Sequence, residues 1–434
     1  MKRIICMICT GALAFGMLAG CGKKAASSET PAETGSTQEI IPQATAAPVS
    51  TPKISARYNS LDEGDKDEIS QVRAELSSVA QSCMDIYETA DRGSAINAVL
   101  SADTVRAMVD RIGQQGFAAI DFDGRLDMRC PESIEYFGSC IDSGNDISVS
   151  YYMVYNDGQI SVYHLGRQNG LWYLIAMSSG WDKNCKPEIL TEGRYVIGDV
   201  RYTEKGWLIY SRGGSSNANA NKYSMVRVKT YDADRRALCR RYLTPVGYSE
   251  NNLFTSSWNT GNWGELDFNS LYAKFYSMYY GAEPLTYNNA GTSAGLAAIS
   301  GSYMHLVPAE QFERVMEGYL DISGDTLRAR SDYSSSRGGY YFLGTQRDYY
   351  SVTPHWPEPE IVDYWNNSDG TLTMRVNAVY EWGGTDCLFT HEVTVRETET
   401  GFVYVSNSVL SGGEGTPPAN ILLGERKSQI SMLG

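Results

Sequence analysis

The sequence predicts an α+β protein whose helices pack on antiparallel β-meanders. Three observations favour this fold class. Apolar residues recur at helical spacing between residues 66 and 91, strand-like segments joined by tight turns lie between 147 and 178, and a similar series of strands lies between 371 and 410. Helices followed by runs of strands are typical of α+β domains rather than of parallel α/β sheets.

The first helical segment covers residues 66–91. Asp65 and Glu68 form a capping box at its start. A second helix is predicted over 102–115, with Ser101 as its N-cap. The apolar stripe of the first helix comprises Ile69, Val72, Leu76, Val79, Cys83, Ile86 and Ala90.

A first meander is predicted from strands at 147–155, 159–166 and 171–178. The dipeptides Asp157-Gly158 and Asn169-Gly170 separate these strands. Both favour two-residue hairpin turns because their residues tolerate positive φ. The helices are expected to cover one face of this meander.

The strand pattern continues from 195 to 243, with a turn predicted at 232–235. An aromatic-rich helix is then predicted at 268–280 and another at 308–320, where Pro308 occupies the favoured first turn. A second meander comprises strands at 371–380, 388–397 and 402–410.

The repeated order of helices and meander resembles the cystatin-like or nuclear-transport-factor-like α+β cone, over residues 65–182 and 266–412. The resemblance implies an N-terminal α+β domain at 58–190 and a C-terminal one at 266–434, joined by a β-rich segment at 191–265. That fold hosts enzymes, ligand pockets and interaction modules alike, so it does not indicate a function.

The start of the chain has the layout of a lipoprotein signal peptide, at residues 1–20. Lys2 and Arg3 form a short cationic head, and residues 4–19 carry no charge. Leu18-Ala19-Gly20-Cys21 resembles a bacterial lipobox, in which the cysteine thiol accepts a diacylglyceryl group before cleavage. The resemblance implies that a lipid on Cys21 anchors the mature chain to the outer face of the cell membrane.

Residues 21–57 are predicted to form a disordered tether between this anchor and the body. From Gly22 to Arg57, 21 of the 36 residues are Ala, Ser, Thr or Pro, and none is aromatic. Such a segment cannot bury enough apolar area to offset its ordering entropy.

Charge and residue spacing restrict the partners. The formal net charge is −14, and Lys2 and Arg3 leave with the signal peptide. Nucleic-acid binding relies on Lys and Arg that neutralise phosphates, so no nucleic-acid partner is expected. No two of the four histidines lie within a helical turn of each other, and we expect neither a metal nor a cofactor.

The cysteines of the body are expected to be mostly free, buried thiols. Cys83 lies on the apolar stripe of a helix, and Cys387 alternates with Phe389. If a disulfide forms, Cys130 to Cys140 is the favoured pair. The six body cysteines are Cys83, Cys130, Cys140, Cys185, Cys239 and Cys387.

One motif matches a serine hydrolase pattern, although a small-residue loop is the favoured interpretation. Gly291-Thr292-Ser293-Ala294-Gly295 matches the nucleophile elbow, with His305, His355 and His391 downstream. The motif needs a buried strand before it, whereas the preceding residues are polar and turn-like. His391 alternates with apolar residues and is interpreted as an inward-facing, hydrogen-bonded core histidine.

Two loops are candidates for ligand binding. Trp258 and Trp263 lie in a stretch without a strand or helix pattern, and His355 and Trp356 lie in the proline-rich stretch 354–359. Exposed aromatic side chains on loops bind sugars or peptides, although such tryptophans also close the ends of sheets.

The chain is similar to uncharacterised surface lipoproteins of Gram-positive bacteria that share a domain of unknown function, most recognisably over residues 389–407. The leading hypothesis is a non-catalytic lipoprotein that binds or scaffolds an envelope protein, a peptide or a glycan. The alternatives are a serine hydrolase that uses Ser293 and the solute-binding lipoprotein of a transporter.

Overall fold

The N-terminal part of the body is built around a mixed five-stranded sheet. The computed structural model describes residues 63–92, 99–124, 126–211, 222–282, 297–298, 304–343, 356–418 and 430–431. The first elements are α1 (Glu63–Ser82), α2 (Met84–Thr89), α3 (Ala102–Gln114), β1 (Ala118–Asp121), α4 (Glu132–Cys140), β2 (Ile147–Val154), β3 (Ile160–Gln168), β4 (Leu171–Trp181) and β5 (Pro187–Ile197). The strand order is β1-β2-β3-β4-β5, in which β1 is parallel to β2 and the other pairs are antiparallel. The predicted meander is confirmed, and β1 and β5 extend it at its edges.

Each face of this sheet buries a core of its own. On one face, Leu76 of α1 and Met108 of α3 pack with Val162 of β3. On the other face, Phe137 of α4 packs with Leu165 of β3. Successive strand residues point to opposite faces, which is why one strand supplies both cores.

The helix predicted at 66–91 is two helices that meet at Cys83. The Ser82 hydroxyl donates to the carbonyl of Val79, and the amide of Cys83 donates to the carbonyl of Ala80. These three-residue spacings tighten the chain locally and end α1. The stripe still faces the core, because Cys83 and Tyr87 are both buried.

The predicted two-residue turn at Asn169-Gly170 is confirmed, whereas the turn at Asp157-Gly158 is a three-residue loop, because the amide of Tyr155 donates to the carbonyl of Gln159 and only Gly158 has a positive φ. Asn169 and Gly170 have φ values of 51° and 77°, and Gly158 has a φ of 85°. The predicted N-cap of α3 is also confirmed, since the Ser101 hydroxyl accepts from the amide of Thr104 at 3.1 Å.

A small sheet and a short helix follow in the middle of the chain. They are β6 (Val200–Tyr202), β7 (Trp207–Ser211), β8 (Tyr223–Arg227) and α5 (Ala233–Leu238). The turn predicted at 232–235 is instead the start of α5, because the Asp232 carboxylate accepts from the amide of Arg235 and caps the helix.

The C-terminal part contains a second, antiparallel five-stranded sheet and a smaller four-stranded one. Its elements are β9 (Trp258–Asn259), α6 (Phe268–Tyr280), β10 (Ala297–Ala298), β11 (Met304–Pro308), α7 (Ala309–Glu317), α8 (Gly324–Arg330), β12 (Tyr333–Ser334), β13 (Gly339–Leu343), β14 (Glu358–Asn366), β15 (Leu372–Val379), β16 (Thr390–Thr398) and β17 (Gly401–Leu410). The larger sheet has the order β14-β15-β16-β17-β9, and the smaller one β10-β11-β13-β12. The second predicted meander is confirmed. In the core, Phe275 of α6 and Phe312 of α7 pack with Tyr404 of β17 and the residues around it.

The middle segment 191–265 is divided between the two parts. Tyr195 lies in β5, strands β6–β8 share the core that contains Phe137, and Trp258 belongs to the C-terminal core. Contacts join the described residues, from Glu63 onwards, into one compact unit.

The two parts meet along β14, an edge strand of the second sheet. Arg227 of β8 forms an ion pair with Glu360 of β14. The Tyr231 hydroxyl donates to the carbonyl of Ile361 at 3.1 Å and accepts from its amide at 2.9 Å. Tyr231 therefore satisfies backbone groups that an open sheet edge would leave unpaired.

Candidate functional site

A polar cluster lies where the first turns of α1 cross the N-terminal sheet. Ser150 of β2 is the direct cross-strand partner of His164 of β3. Tyr173 of β4 and Arg194 of β5 continue the cluster across the same face. Glu68 lies one turn before Val72 on the stripe of α1 that faces the sheet. Helix geometry therefore places the Glu68 carboxylate above these strands.

Three hydrogen bonds join Ser150, His164, Glu68 and Tyr173 in a continuous chain. The Ser150 Oγ lies 2.8 Å from Nδ1 of His164, and Nε2 of His164 lies 3.1 Å from Oε1 of Glu68. The Tyr173 hydroxyl donates to the same Glu68 oxygen at 2.5 Å.

The hydrogen-bond chain selects one tautomer of neutral His164. An ionised carboxylate only accepts, so Nε2 carries the proton and donates it to Glu68. The other ring nitrogen, Nδ1, is then an acceptor for the Ser150 hydroxyl. The imidazole is thus oriented with its basic nitrogen towards the serine.

The surroundings keep Glu68 ionised. Burial by itself raises the pKa of Glu68, but the hydrogen bonds from His164 and Tyr173 outweigh it and the pKa is lowered overall. Burial and the hydrogen bond to Glu68 raise the pKa of Tyr173, which remains a protonated donor.

An ion pair lies beside the cluster. Arg194 binds Asp65 at 2.8 Å, and only 14% and 12% of the two side chains are exposed. The Arg194 guanidinium carbon lies 4.3 Å from the centre of the Tyr173 ring. Arg194 therefore orients the tyrosine that holds Glu68, while its own charge is paired with Asp65.

The arrangement matches the elements of nucleophilic catalysis. A hydroxyl lies within hydrogen-bond reach of a base, and a third group orients that base. Within the described residues, no three His, Cys, Asp or Glu side chains converge in a way that would hold a metal ion.

The predicted tryptophans have a structural setting in the C-terminal core. Trp258 and Trp263 stack with ring centres 5.6 Å apart, and they are only 3% and 6% exposed. Trp258 Nε1 donates to the carbonyl of Leu253 at 2.8 Å, and Trp258 pairs with Asn407 of β17. Neither ring is presented to solvent, which accords with a role at the end of a sheet. A contribution of these rings to ligand binding stays a prediction.

Several predicted site residues lie outside the described part of the chain. These are Cys21, Ser293 and His355. Trp356 is described and half-buried, and β14 begins at Glu358, so the predicted loop 354–359 ends before that residue.

The interpretation of His391 as a core residue is confirmed. His391 is fully buried; its Nε2 lies 2.9 Å from the Tyr248 hydroxyl and its Nδ1 2.7 Å from Oδ1 of Asn407. Burial lowers the pKa of His391 to about 4 although the hydrogen bond to Asn407 opposes this. His391 is therefore a neutral structural residue at physiological pH.

The body cysteines are free thiols in the structure. Cys83, Cys185 and Cys239 are buried. Cys130 and Cys140, the favoured disulfide pair, are not bonded to each other, and the Cys130 thiol donates to the carbonyl of Gly113 at 3.1 Å.

Sequence reasoning missed the Glu68–His164–Ser150 chain. Glu68 and His164 are 96 residues apart, and no motif joins them. A weak signal was present, because Ser150 and His164 alternate with the apolar Tyr152 and Val162 on the inward face of their strands.

None of the described helices is both long enough and apolar enough to cross a membrane. Neither a curated protein nor a solved structure matches the chain. One family model matches residues 69–421, which include both five-stranded sheets with Ser150, His164 and Tyr173, whereas Glu68 lies one residue before the matched range. The chain therefore belongs to a family of unknown function, DUF6070.

Proposed function

We propose that the protein is an extracytoplasmic lipoprotein, anchored to the cell membrane by a lipid on Cys21, whose body serves as a binding or scaffolding module at the cell envelope. The observation that carries the location is the tetrapeptide Leu18-Ala19-Gly20-Cys21, which follows a cationic head and an uncharged apolar run. A single acyl chain gives only marginal membrane binding, so stable anchoring requires more than one chain. The diacylglyceryl group that the lipobox implies would supply two.

A surface on the C-terminal part supports the binding role. Tyr276, Tyr279 and Tyr280 lie at the end of α6, and their rings contact one another, with centres 4.6 Å apart for 276 and 280 and 4.8 Å apart for 279 and 280. Tyr279 and Tyr280 are 44% and 43% exposed. Tyrosine is enriched at interfaces because it joins an apolar ring to a polar hydroxyl. A protein, a peptide or a glycan of the envelope fits this surface.

The anchoring proposal predicts that Cys21→Ser releases the protein from membranes. Cells would be fed an alkyne analogue of palmitate, and label and membrane fraction would be measured together. We expect both to be lost in Cys21→Ser, because no other residue of the lipobox has a thiol. The matched control is Cys140→Ser, which removes a free thiol from the body and should leave labelling and fractionation unchanged. Lipid label on Cys21→Ser, or an unlabelled wild-type protein, would overturn the proposal.

A further inference from the structure

We propose that Ser150 is a nucleophile for acyl transfer from carboxylic esters, with His164 as its general base and Glu68 as the positioning residue. The inference goes beyond the proposed binding role. It also departs from the leading hypothesis of a non-catalytic lipoprotein.

The first argument is the direction of the hydrogen bonds. Glu68 accepts from Nε2 of His164 at 3.1 Å, which leaves Nδ1 free to accept the Ser150 proton across 2.8 Å. A histidine base needs an unprotonated ring nitrogen facing the hydroxyl, and in this chain that nitrogen is Nδ1. Tyr173 donates to the same carboxylate oxygen and fixes Glu68 in place.

The second argument is a comparison of two histidines within one chain. His391 contacts the neutral amide of Asn407 and is completely enclosed, so an imidazolium at this position has no counter-charge. His164 contacts a carboxylate and keeps 12% of its side chain exposed. A carboxylate stabilises the imidazolium that forms when the base takes a proton, whereas an amide does not.

The third argument is access. Ser150 is half-buried rather than sealed in the core. The positive charge of Arg194 is paired with Asp65, and its guanidinium packs on the Tyr173 ring. The polar side chains in contact with His164 are Ser150 and Tyr173 from the sheet and Glu68 from α1.

The proposed step is balanced within these residues and the ester. Ser150 Oγ forms a bond to the acyl carbon while its proton passes to Nδ1 of His164. The bond between the acyl carbon and the alcohol oxygen then breaks, and His164 returns the proton to the departing alcohol. Water hydrolyses the acyl-serine by the same route and regenerates the hydroxyl.

The test is the reaction of the full chain with a fluorophosphonate–biotin probe. Attack by Ser150 forms a bond from Oγ to phosphorus and releases fluoride. We expect mass spectrometry of the wild-type protein to place the probe on the peptide that contains Ser150. Mapping on the wild type does not depend on the folding of any variant. A probe that labels no residue, or labels Ser293 instead, overturns the inference.

Three variants sharpen the result. Ser150→Ala should lose the label, whereas Ser148→Ala and Ser293→Ala should keep it. Ser148 is the matched control, since it lies on the same strand and face but pairs with Gly166 rather than with a histidine. Label that survives Ser150→Ala overturns the inference, and urea unfolding of each variant checks that the fold is intact.

Glu68→Gln tests the positioning role by a readout that a purely structural residue would not move. We expect the labelling rate at neutral pH to fall roughly tenfold or more. The acid limb of the pH–rate profile should shift to lower pH, because the imidazolium loses its counter-charge. An unchanged profile in a folded variant would remove Glu68 from the proposed mechanism. The binding role is tested separately, by crosslinking to an envelope partner. If no partner is crosslinked but the probe still labels Ser150, only the binding role fails.

Discussion

Individual histidines show how surroundings decide chemistry in this chain. The apolar alternation around His391 predicts an enclosed residue, and Tyr248 and Asn407 satisfy both of its ring nitrogens in the core. His164 lies in the same kind of alternation, but its ring contacts the Glu68 carboxylate of α1, which is distant in the sequence. The local sequence pattern therefore predicts that a side chain is buried, but the tertiary packing determines its hydrogen-bond partner.

The burial of His391 predicts a specific loss of stability in mild acid. Its pKa is lowered from 6.5 to about 4 by burial, so the unfolded chain binds a proton between these values and the folded chain does not. Stability should therefore fall as the pH drops through this window, by about 2 kcal/mol between pH 7 and pH 5. Urea unfolding measures it, with His391→Gln as the comparison. If the two proteins lose the same stability between these pH values, His391 is not the titrating group.

At the scale of helices and strands, the sequence predicts the elements with strong periodicity or strong turn residues. The helix at 268–280 has the predicted bounds, and the hairpins at Gly158 and Gly170 turn where predicted. Strand β14 was missed because Pro357 and Pro359 indicate a loop. Proline is tolerated in this strand since β14 is an edge of its sheet. Helix α4 was missed because it buries only Ile134 and Phe137, too few for a recognisable stripe.

The contact between β8 and β14 predicts a double-mutant cycle. Arg227 and Glu360 are 18% and 8% exposed at their side chains, and Trp207 Nε1 also donates to Glu360 at 3.0 Å. Burial raises the pKa of Glu360 despite the opposing charge of Arg227. Arg227→Met leaves this carboxyl without its counter-charge and should cost roughly 3 kcal/mol of unfolding free energy.

The cycle is completed by Glu360→Gln and the double variant. The double variant should recover most of the loss, because no uncompensated charge stays buried. Additive effects of the two single variants in urea unfolding would contradict a direct coupling between β8 and β14. The control pair is Arg241 and Glu397, which are more than half exposed and should show little coupling.

At the scale of the whole molecule, the two meanders were predictable and their assembly was not. Turn residues and period-two alternation are local signals, so both strand series could be read from the chain. The pairing of Arg227 with Glu360 spans 133 residues and depends on how the two parts meet. The candidate site is subject to the same limit, since Glu68 contacts His164 only because α1 packs on the sheet.

The most direct test of the proposed role is crosslinking in intact cells that express the anchored protein. The control is a chain in which residues 1–57 carry an unrelated soluble body. We predict a reproducible envelope partner for the native protein that the control does not capture. The double variant Tyr279→Ala/Tyr280→Ala should capture less of it. Leu171→Ala, which alters a residue of the N-terminal sheet that is 46% exposed, should capture as much as the native protein. Identical capture by the native protein and the control would contradict the binding role of the body.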